Sequence, residues 1–522
     1  MAGPRPVLPQ GHGELVVRPP YAEWAALADS NARAASGWDF EIAGVPADAL
    51  RMQARREAAE AASAFSARLG VRVREAPAEP ARIVMTGHQP QLYHPGVWVK
   101  DFLLQRIADE TGALPLDLVV DSDGFDSVAA EMPCMRPEVQ RCKAYLAVGE
   151  QGACYAGVPV PDAHALADFR ASGLDALGTL PTPALTRHFA TFCDALDAAS
   201  VGATSLAELV TFARRRYEGA ATDYLELPVT AESALPAFRV FAADVSARAG
   251  EFAAAYNGEL AEYRSLNGVR SAAQPFPDLS ADGGTFELPF WFLDRGRRRS
   301  VAARVVEGRT AVVSESADIV SGRDAAELAA ALGQAGVVLA PKALALTLFN
   351  RMFVGDLFIH GVGGGRYDDV TDGVVRRFHG VEAPPFAVAS LTMYLPLGGH
   401  LVTDEELERA EQRVNKLEHN PDRMLAEADF DSGEERARAV GLAAEKERLV
   451  GGIAAADADK KALGARIREV NAELGELLAP LAVAAREERD RLVAQKAAAG
   501  ILTDRTYPFC LWSPAEVADK AG

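Results

Sequence analysis

Between Ile83 and Asp126 the chain alternates short apolar runs with polar turns rich in glycine and proline. IVM (83–85) predicts a buried strand and TGHQPQLYHPG (86–96) a polar turn. WVKDFLLQRIADETG (98–112) carries apolar residues at helical spacing. LPLDLVV (114–120) predicts the next strand and DSDGFD (121–126) its loop. Strand, loop, helix and strand in that order open a parallel α/β sheet. The apolar runs GVVLAP (336–341) and LFIHGV (357–362) predict the return of that sheet. GGGRYDDVTDGVVRRFHGV (363–381) reads as a glycine-rich turn entering a helix.

The flanking segments differ in texture. Residues 47–70 are built of strong helix formers. Helices are expected at 162–175, 184–198, 204–219 and 236–264. ELPFWFL (287–293) and SVAARVV (300–306) read as a hairpin whose basic turn, DRGRRR (294–299), stands in water. Towards the end, Leu407, Ala410, Val414 and Leu417 recur at helical spacing. So do Leu442, Leu449, Ile453, Ala456, Leu463, Ile467, Val470, Leu474, Leu477 and Leu481, mostly in steps of three, four or seven. That seam predicts a long helix in a protruding antiparallel coiled coil, ended or kinked by Pro480, with a helical layer packed on the core as the alternative. Tyr507, Phe509, Leu511 and Trp512 should dock back on the body. The expected organisation is an N-terminal helical region (1–80), a first core segment (81–140), a connecting region (141–330), a second core segment (331–400), and a coiled coil with a docking tail (401–522).

Composition narrows the class. With 522 residues, 49% hydrophobic and 24% charged, the chain is an ordinary folded protein rather than a disordered or fibrous one. A net charge of −19 argues against sequence-independent nucleic-acid binding, which needs a basic face. No apolar run reaches the length of a membrane span, and the first residues lack the pattern of a secretory signal. Five cysteines without a Cys-x-x-Cys pair fit a reducing compartment, so a soluble cytoplasmic protein is expected.

Candidate chemistry gathers at strand ends, where open α/β sheets bind ligands. Thr86, Gly87, His88 and Gln89 follow the first strand, with His94 just before the helix and Lys100 one turn into it. The glycine admits close backbone approach, and the histidines can bind an anion or move a proton. The alternative is a loop whose histidines merely cap backbone groups. Asp121, Asp123 and Asp126 follow the second strand, where carboxylates can hold a substrate ammonium, a ribose hydroxyl or a magnesium ion; an acidic turn in water is the alternative. Lys342 ends a predicted strand, and His360, Gly363, Gly364, Gly365 and Arg366 surround the glycine-rich turn. That turn fits neither G-x-G-x-x-G nor a P-loop. No metal-ligand set is spaced along the chain.

TGHQPQLYHPGVWVK resembles the T-G-Q-Q-x-G-L…G-P…K segment of the bacillithiol-biosynthesis cysteine-adding enzyme (cysteine ligase) family. DLVVDSDGFD stands where that family has a strand and an acidic loop, and APKALALTLFNRMFVGDLFIHGVGGGRYDDVTD resembles its P-R-x…L…GGPGEIAY segment. The resemblance implies a Rossmann-like, nucleotidyltransferase-type (HUP-like) parallel sheet core with a helical connecting region, and a C-terminal coiled coil supporting a homodimer. It implies a ligase that joins cysteine to the amine of an amino-sugar acceptor, glucosaminyl-malate, with ATP or ADP as candidate nucleotide. The sequence departs from the family at His88, Gly124 and Lys342, where glutamine, histidine and arginine are expected. The His-Gln-Pro run also resembles the first loop of the WbqC-like family.

Three readings follow. In the first, His88 acts as acid or base and Asp121 or Asp123 holds the substrate ammonium of an amide-forming ligase. In the second, His88 and Lys342 neutralise phosphate in a nucleotidyltransferase. In the third, the chain is a non-enzymatic coiled-coil dimer with a relict cleft.

Overall fold

The computed structural model describes residues 7–149, 152–271, 273–315, 317–398, 402–453 and 459–522. Strands are numbered along the chain: β1 Glu14–Arg18, β2 Glu41–Ile42, β3 Val45–Pro46, β4 Ile83–His88, β5 Leu114–Val119, β6 Ser127–Met135, β7 Val139–Val148 and β8 Leu225–Pro228. They continue as β9 Ala281–Asp282, β10 Thr285–Asp294, β11 Arg297–Val306, β12 Arg309–Ser314, β13 Ala317–Gly322, β14 Leu339–Pro341, β15 Leu357–His360 and β16 Ala387–Thr392. Helices are named by their ranges.

The main sheet has the order β1-β16-β15-β4-β5-β8, all neighbours parallel except β1 on β16. The chain runs outward from β4 to β5 to β8, then returns to the other side of β4 for β15 and β16. Strand order therefore reverses between β4 and β15, the place where parallel sheets open a ligand crevice. Every residue of β5 is buried, as expected for a strand covered on both faces. The helix Ala47–Ser66 buries Ala47, Ala54, Ala58, Ala59 and Ala62 in the core, where alanine permits close approach. That core joins Met85, Leu116 and Leu227 of the parallel strands to Phe290, Phe349 and Phe353.

The second sheet has the order β13-β12-β11-β10-β14 and is antiparallel. GVVLAP was expected in the returning parallel sheet. Instead β14 pairs antiparallel with β10 at the edge of this one. Pro341 suits the edge position, because it has no N–H to donate to a further strand. The parallel sheet also takes in β8, which lies inside the segment read as connecting region. Thr86, Gly87 and His88, read as the start of a turn, are strand residues paired with Asp117, Leu118 and Val119. Residues 236–264, read as one helix, form two, Pro236–Ala247 and Ala249–Asn267, separated at Arg248. Gly363, Gly364 and Gly365 are not a turn but the opening of the helix Val362–His379.

Cys134 and Cys142 are joined by a disulfide across the β6–β7 hairpin, against the expectation of unpaired thiols. Cys134 pairs with Gln140 and Cys142 with Met132, so the turn brings the two Cα atoms to 6.0 Å. Cys154, Cys193 and Cys510 are free and buried. Among the described residues no helix is long and apolar enough to cross a membrane.

The chain divides into two compact units. One takes in the chain up to Leu395 together with Arg505–Gly522, and the other Pro396–Asp504. In the first unit Tyr507, Phe509, Leu511 and Trp512 are buried, and the Phe509 amide donates to the Tyr93 carbonyl at 2.7 Å. In the second unit the helix Asp404–His419 packs on Ala479–Leu502, and Gly433–Gly452 on Lys460–Leu477. The seam read as one long helix is thus broken. Gly451 and Gly452 end one segment, Asp459 caps the next, and Pro480 opens the third. Leu442, Val470 and Leu474 share one small core, and Val414, Leu417 and Leu478 another. Ala456 lies outside the described residues.

Candidate functional site

The strand reversal between β4 and β15 is built around a buried cation. Lys100, in the helix Pro95–Thr111, is 3% exposed. Its Nζ donates to Thr86 Oγ1 at 3.1 Å and to the Gly87 carbonyl at 3.0 Å. Thr86 in turn donates to the Ile359 carbonyl of β15 at 2.8 Å. Two of the three ammonium protons are thereby used, and no carboxylate of the described residues lies within ion-pair distance. Burial lowers the Lys100 pKa, while Asp101 and Asp117 pull it upward.

His88 is half-buried at the end of β4. Its Nδ1 stands 3.2 Å from the Gln89 carbonyl, and its ring meets Tyr93 edge-on at 4.9 Å. Nδ1–H facing a carbonyl selects the tautomer that leaves Nε2 as a base. Burial, and then the Lys100 ammonium, push this imidazole down to about 3, so it is neutral at physiological pH. Gly87 does not serve ligand approach: a Cβ there would lie 2.7 Å from Leu118 Cβ, so the glycine lets β4 and β5 close up. His94 is the N-cap of the helix Pro95–Thr111, its Nδ1 accepting from Gly96 N at 3.0 Å, which is the capping role weighed as the alternative.

On the β15 side, His360 Nε2 lies 2.9 Å from Asp368 Oδ2. Asp368 is also held by Arg351 at 2.6 Å and by the Thr347 hydroxyl at 2.8 Å. Burial opposes the Asp368 charge, but Arg351 and His360 hold its carboxyl well below the usual range. Burial lowers the His360 pKa too, with Asp368 pulling against it and Lys100 adding to it. Gly361 and Gly363 face open space at the start of the helix Val362–His379. Unpaired N–H groups at such a terminus suit an anion. Gly364 lies against His360, and a Cβ on Gly365 would strike Val388. Arg366 is exposed on the outer face of the helix.

The acidic loop divides. Asp123 accepts from Gln89 Nε2 at 2.9 Å and from Arg298 Nη1 at 2.7 Å. Arg298, expected in water at a hairpin tip, reaches across from β11 with its guanidinium 4.8 Å from the Trp291 ring centre. Lys342 lies 4.6 Å from that ring centre and pairs with Glu287 at 2.5 Å. Lys342 therefore belongs to the second sheet and joins the loop through Trp291. A Cβ at Gly124 would fall 2.1 Å from Arg298 Nη2, so any larger residue there displaces the guanidinium that holds Asp123. A histidine at 124 would collide with the arginine that holds Asp123. Asp121 turns instead towards β8, accepting from the Thr230 amide at 2.9 Å and from the Thr230 hydroxyl.

Behind His88 lies an ion cluster that motif reading missed. Arg214 contacts Asp101 at 2.5 Å, Asp117 at 2.8 Å and Glu226 at 2.7 Å; Arg215 contacts Glu218 at 3.0 Å. Two guanidiniums face four carboxylates, so the cluster retains protons. Burial and then Asp117 raise Asp101 to about 7, and burial raises Glu226 further. A crevice of about 10 Å³ between His88, Tyr93, Asp117 and Arg214 has room for about one water. The available signal was the run Arg214-Arg215-Arg216 on an amphipathic helix, which forces at least one arginine inward.

The structure thus gathers Thr86, Gly87, His88, Lys100 and His360 at the strand reversal and ties Gln89 to Asp123 beside them. It leaves His94 as a cap and Arg366 on the surface. No family model matches the chain, and no curated protein sequence matches it either.

Proposed function

We propose that the chain is a ligase-like enzyme on a Rossmann-like, nucleotidyltransferase-type core, forming an amide between a small amino acid, cysteine by resemblance, and the amine of a small acceptor. The observation that carries this reading is the buried Lys100 ammonium at the strand reversal, with one proton unspent, close enough to His88 to help keep that imidazole neutral. An acyl oxygen placed against Lys100 and the open start of the helix Val362–His379 would have its developing negative charge stabilised. His88 Nε2 would accept a hydrogen bond from the attacking amine and orient its lone pair, and the proton the amine loses as the C–N bond forms would pass to solvent. The leaving group departs from the acyl carbon with its bonding electron pair.

Amide formation from a free carboxylate needs activation, and ATP, the nucleotide implied by resemblance, would supply it as an acyl phosphate or adenylate. Its phosphates fit the donor set by chemistry: Lys100, the amides near Gly361 and Gly363, and no carboxylate paired to that lysine. The same donors favour a second reading, a nucleotidyltransferase, in which the phosphate itself is attacked.

The test is incubation with ATP, cysteine and glucosaminyl-malate, following amide by mass spectrometry and pyrophosphate by a coupled assay. Amide formation lost in His88→Ala and Lys100→Met supports the ligase. Pyrophosphate release with nucleotide transfer and no amide moves the assignment to the transferase. Turnover that neither substitution affects removes this crevice from the reaction.

A further inference from the structure

A cavity of about 410 Å³ opens at the carboxyl ends of β5 and β8, beside the crevice rather than in it. That volume is in the range of small-molecule sites. Phe65, Val119 and Pro228 give it apolar surface. Its buried charge is Asp121, which is 4% exposed. No lysine, arginine or histidine among the described residues pairs with that carboxylate. A buried charge without a counter-charge is costly, and Thr230 offsets only part of the cost through two hydrogen bonds.

The remaining polar wall is rich in acceptors. Thr230 donates its hydroxyl proton to Asp121, and Thr204 donates its own to Glu208 at 2.9 Å. Arg68, the lining guanidinium, is forked onto Glu208 at 2.7 and 2.6 Å. Ser205 accepts from the Glu208 amide at 3.2 Å and keeps a hydroxyl proton to donate. Two carboxylates against one guanidinium leave the lining with a negative charge. Such a wall repels phosphates and carboxylates and suits a ligand that brings N–H protons and a positive charge. Among the described residues no cluster of three His, Cys, Asp or Glu is placed to hold a metal ion.

We infer that this cavity binds a small organic ammonium compound, with its N–H groups on Asp121 and Thr230 Oγ1 and its carbon skeleton against Phe65, Val119 and Pro228. The site needs nothing from the transfer reading, since binding is measured without turnover.

The experiment titrates the full chain with putrescine, followed by ligand-observed NMR, with 1,4-butanediol as the neutral isostere. Saturable putrescine binding with Kd of about 1 mM is expected, the diol being at least about tenfold weaker. Asp121→Asn removes the charge and Ala231→Leu fills space in the lining. Each should weaken putrescine by about tenfold or more, with circular dichroism reporting that both variants fold. Equal binding of the diol overturns the proposal. So does putrescine binding that survives both substitutions, an absence of saturation up to about 100 mM, or displacement by an equal concentration of magnesium.

Discussion

Lys100 Nζ stands 3.1 Å from Thr86 Oγ1, and Thr86 passes its own proton to β15 at the point where strand order reverses. One side chain from the helix Pro95–Thr111 therefore bears on both strands at the reversal. Because burial lowers the Lys100 pKa, the unfolded chain holds this proton more tightly, and the charge costs stability at every pH below the folded pKa. Lys100→Met relieves that cost but leaves the Thr86 hydroxyl and Gly87 carbonyl each without a donor. These effects oppose one another, so urea unfolding at neutral pH should change by no more than about 1 kcal/mol. Turnover should fall by about a hundredfold or more if the ammonium stabilises developing charge. A folded variant with undiminished turnover excludes that role.

Two glycines of the crevice should respond to alanine with opposite signs. At Gly87 the added Cβ would lie 2.7 Å from Leu118 Cβ, between two paired strands that cannot separate cheaply. Gly87→Ala should cost about 1–3 kcal/mol in urea unfolding. Gly363 has open space around it and lies in the first turn of a helix. Gly363→Ala should stabilise by up to about 1 kcal/mol. A destabilised Gly363→Ala would mean that the helix start is more crowded than its geometry indicates.

Strand β4, the helix after it and strand β5 were legible because each has one periodicity and one environment: an apolar run, a helical stripe, an apolar run. The sheet that β14 joins was not, because a three-residue apolar strand carries no mark of its partner; only Pro341 hinted at an edge. The seam at 442–481 was read through its breaks because heptad spacing continues across Gly451 and Gly452, while glycine and proline decide where the backbone stops. In the crevice, Thr86, His88 and Lys100 were found by their place after a strand. Arg298 was not, since a basic hairpin turn looks like a solvated one until its partner across 175 residues is known. Asp121 and Asp123 looked equivalent in sequence, but one faces β8 and the other Gln89.

The Arg298–Asp123 pair is partly exposed, so its contribution to global stability should be below about 1 kcal/mol. Its effect should be local. Arg298→Met frees Asp123 on one side, and Gly124→Ala should do the same by displacing the guanidinium it would strike. Both variants should unfold near the parent midpoint, yet show faster amide hydrogen exchange at residues 121–125. Unchanged exchange in both would mean that Arg298 does not hold the loop, which Gln89 and the backbone bonds to residues 153–156 then fix.

Asp121 gives the sharpest pH dependence. Burial pushes its carboxyl up to about 6, with the Thr230 hydrogen bonds acting against the shift. Its proton is therefore bound more tightly in the folded protein than in the unfolded chain, where an aspartate titrates near 3.9. This group favours folding most below about pH 4, progressively less as pH rises towards 6, and no less beyond that. At neutral pH the charged, unpaired carboxylate should cost about 1–3 kcal/mol. Asp121→Asn keeps an oxygen for Thr230 and carries no charge. Its unfolding free energy should exceed that of the parent at pH 7 by that amount and approach it at pH 4. An ammonium ligand should reverse the balance, stabilising the parent at pH 7 and leaving the asparagine variant unmoved. Urea unfolding at both pH values, with and without putrescine, measures all of these differences. An asparagine variant less stable than the parent at pH 7 would mean that Asp121 is held by its hydrogen bonds rather than waiting for a cation.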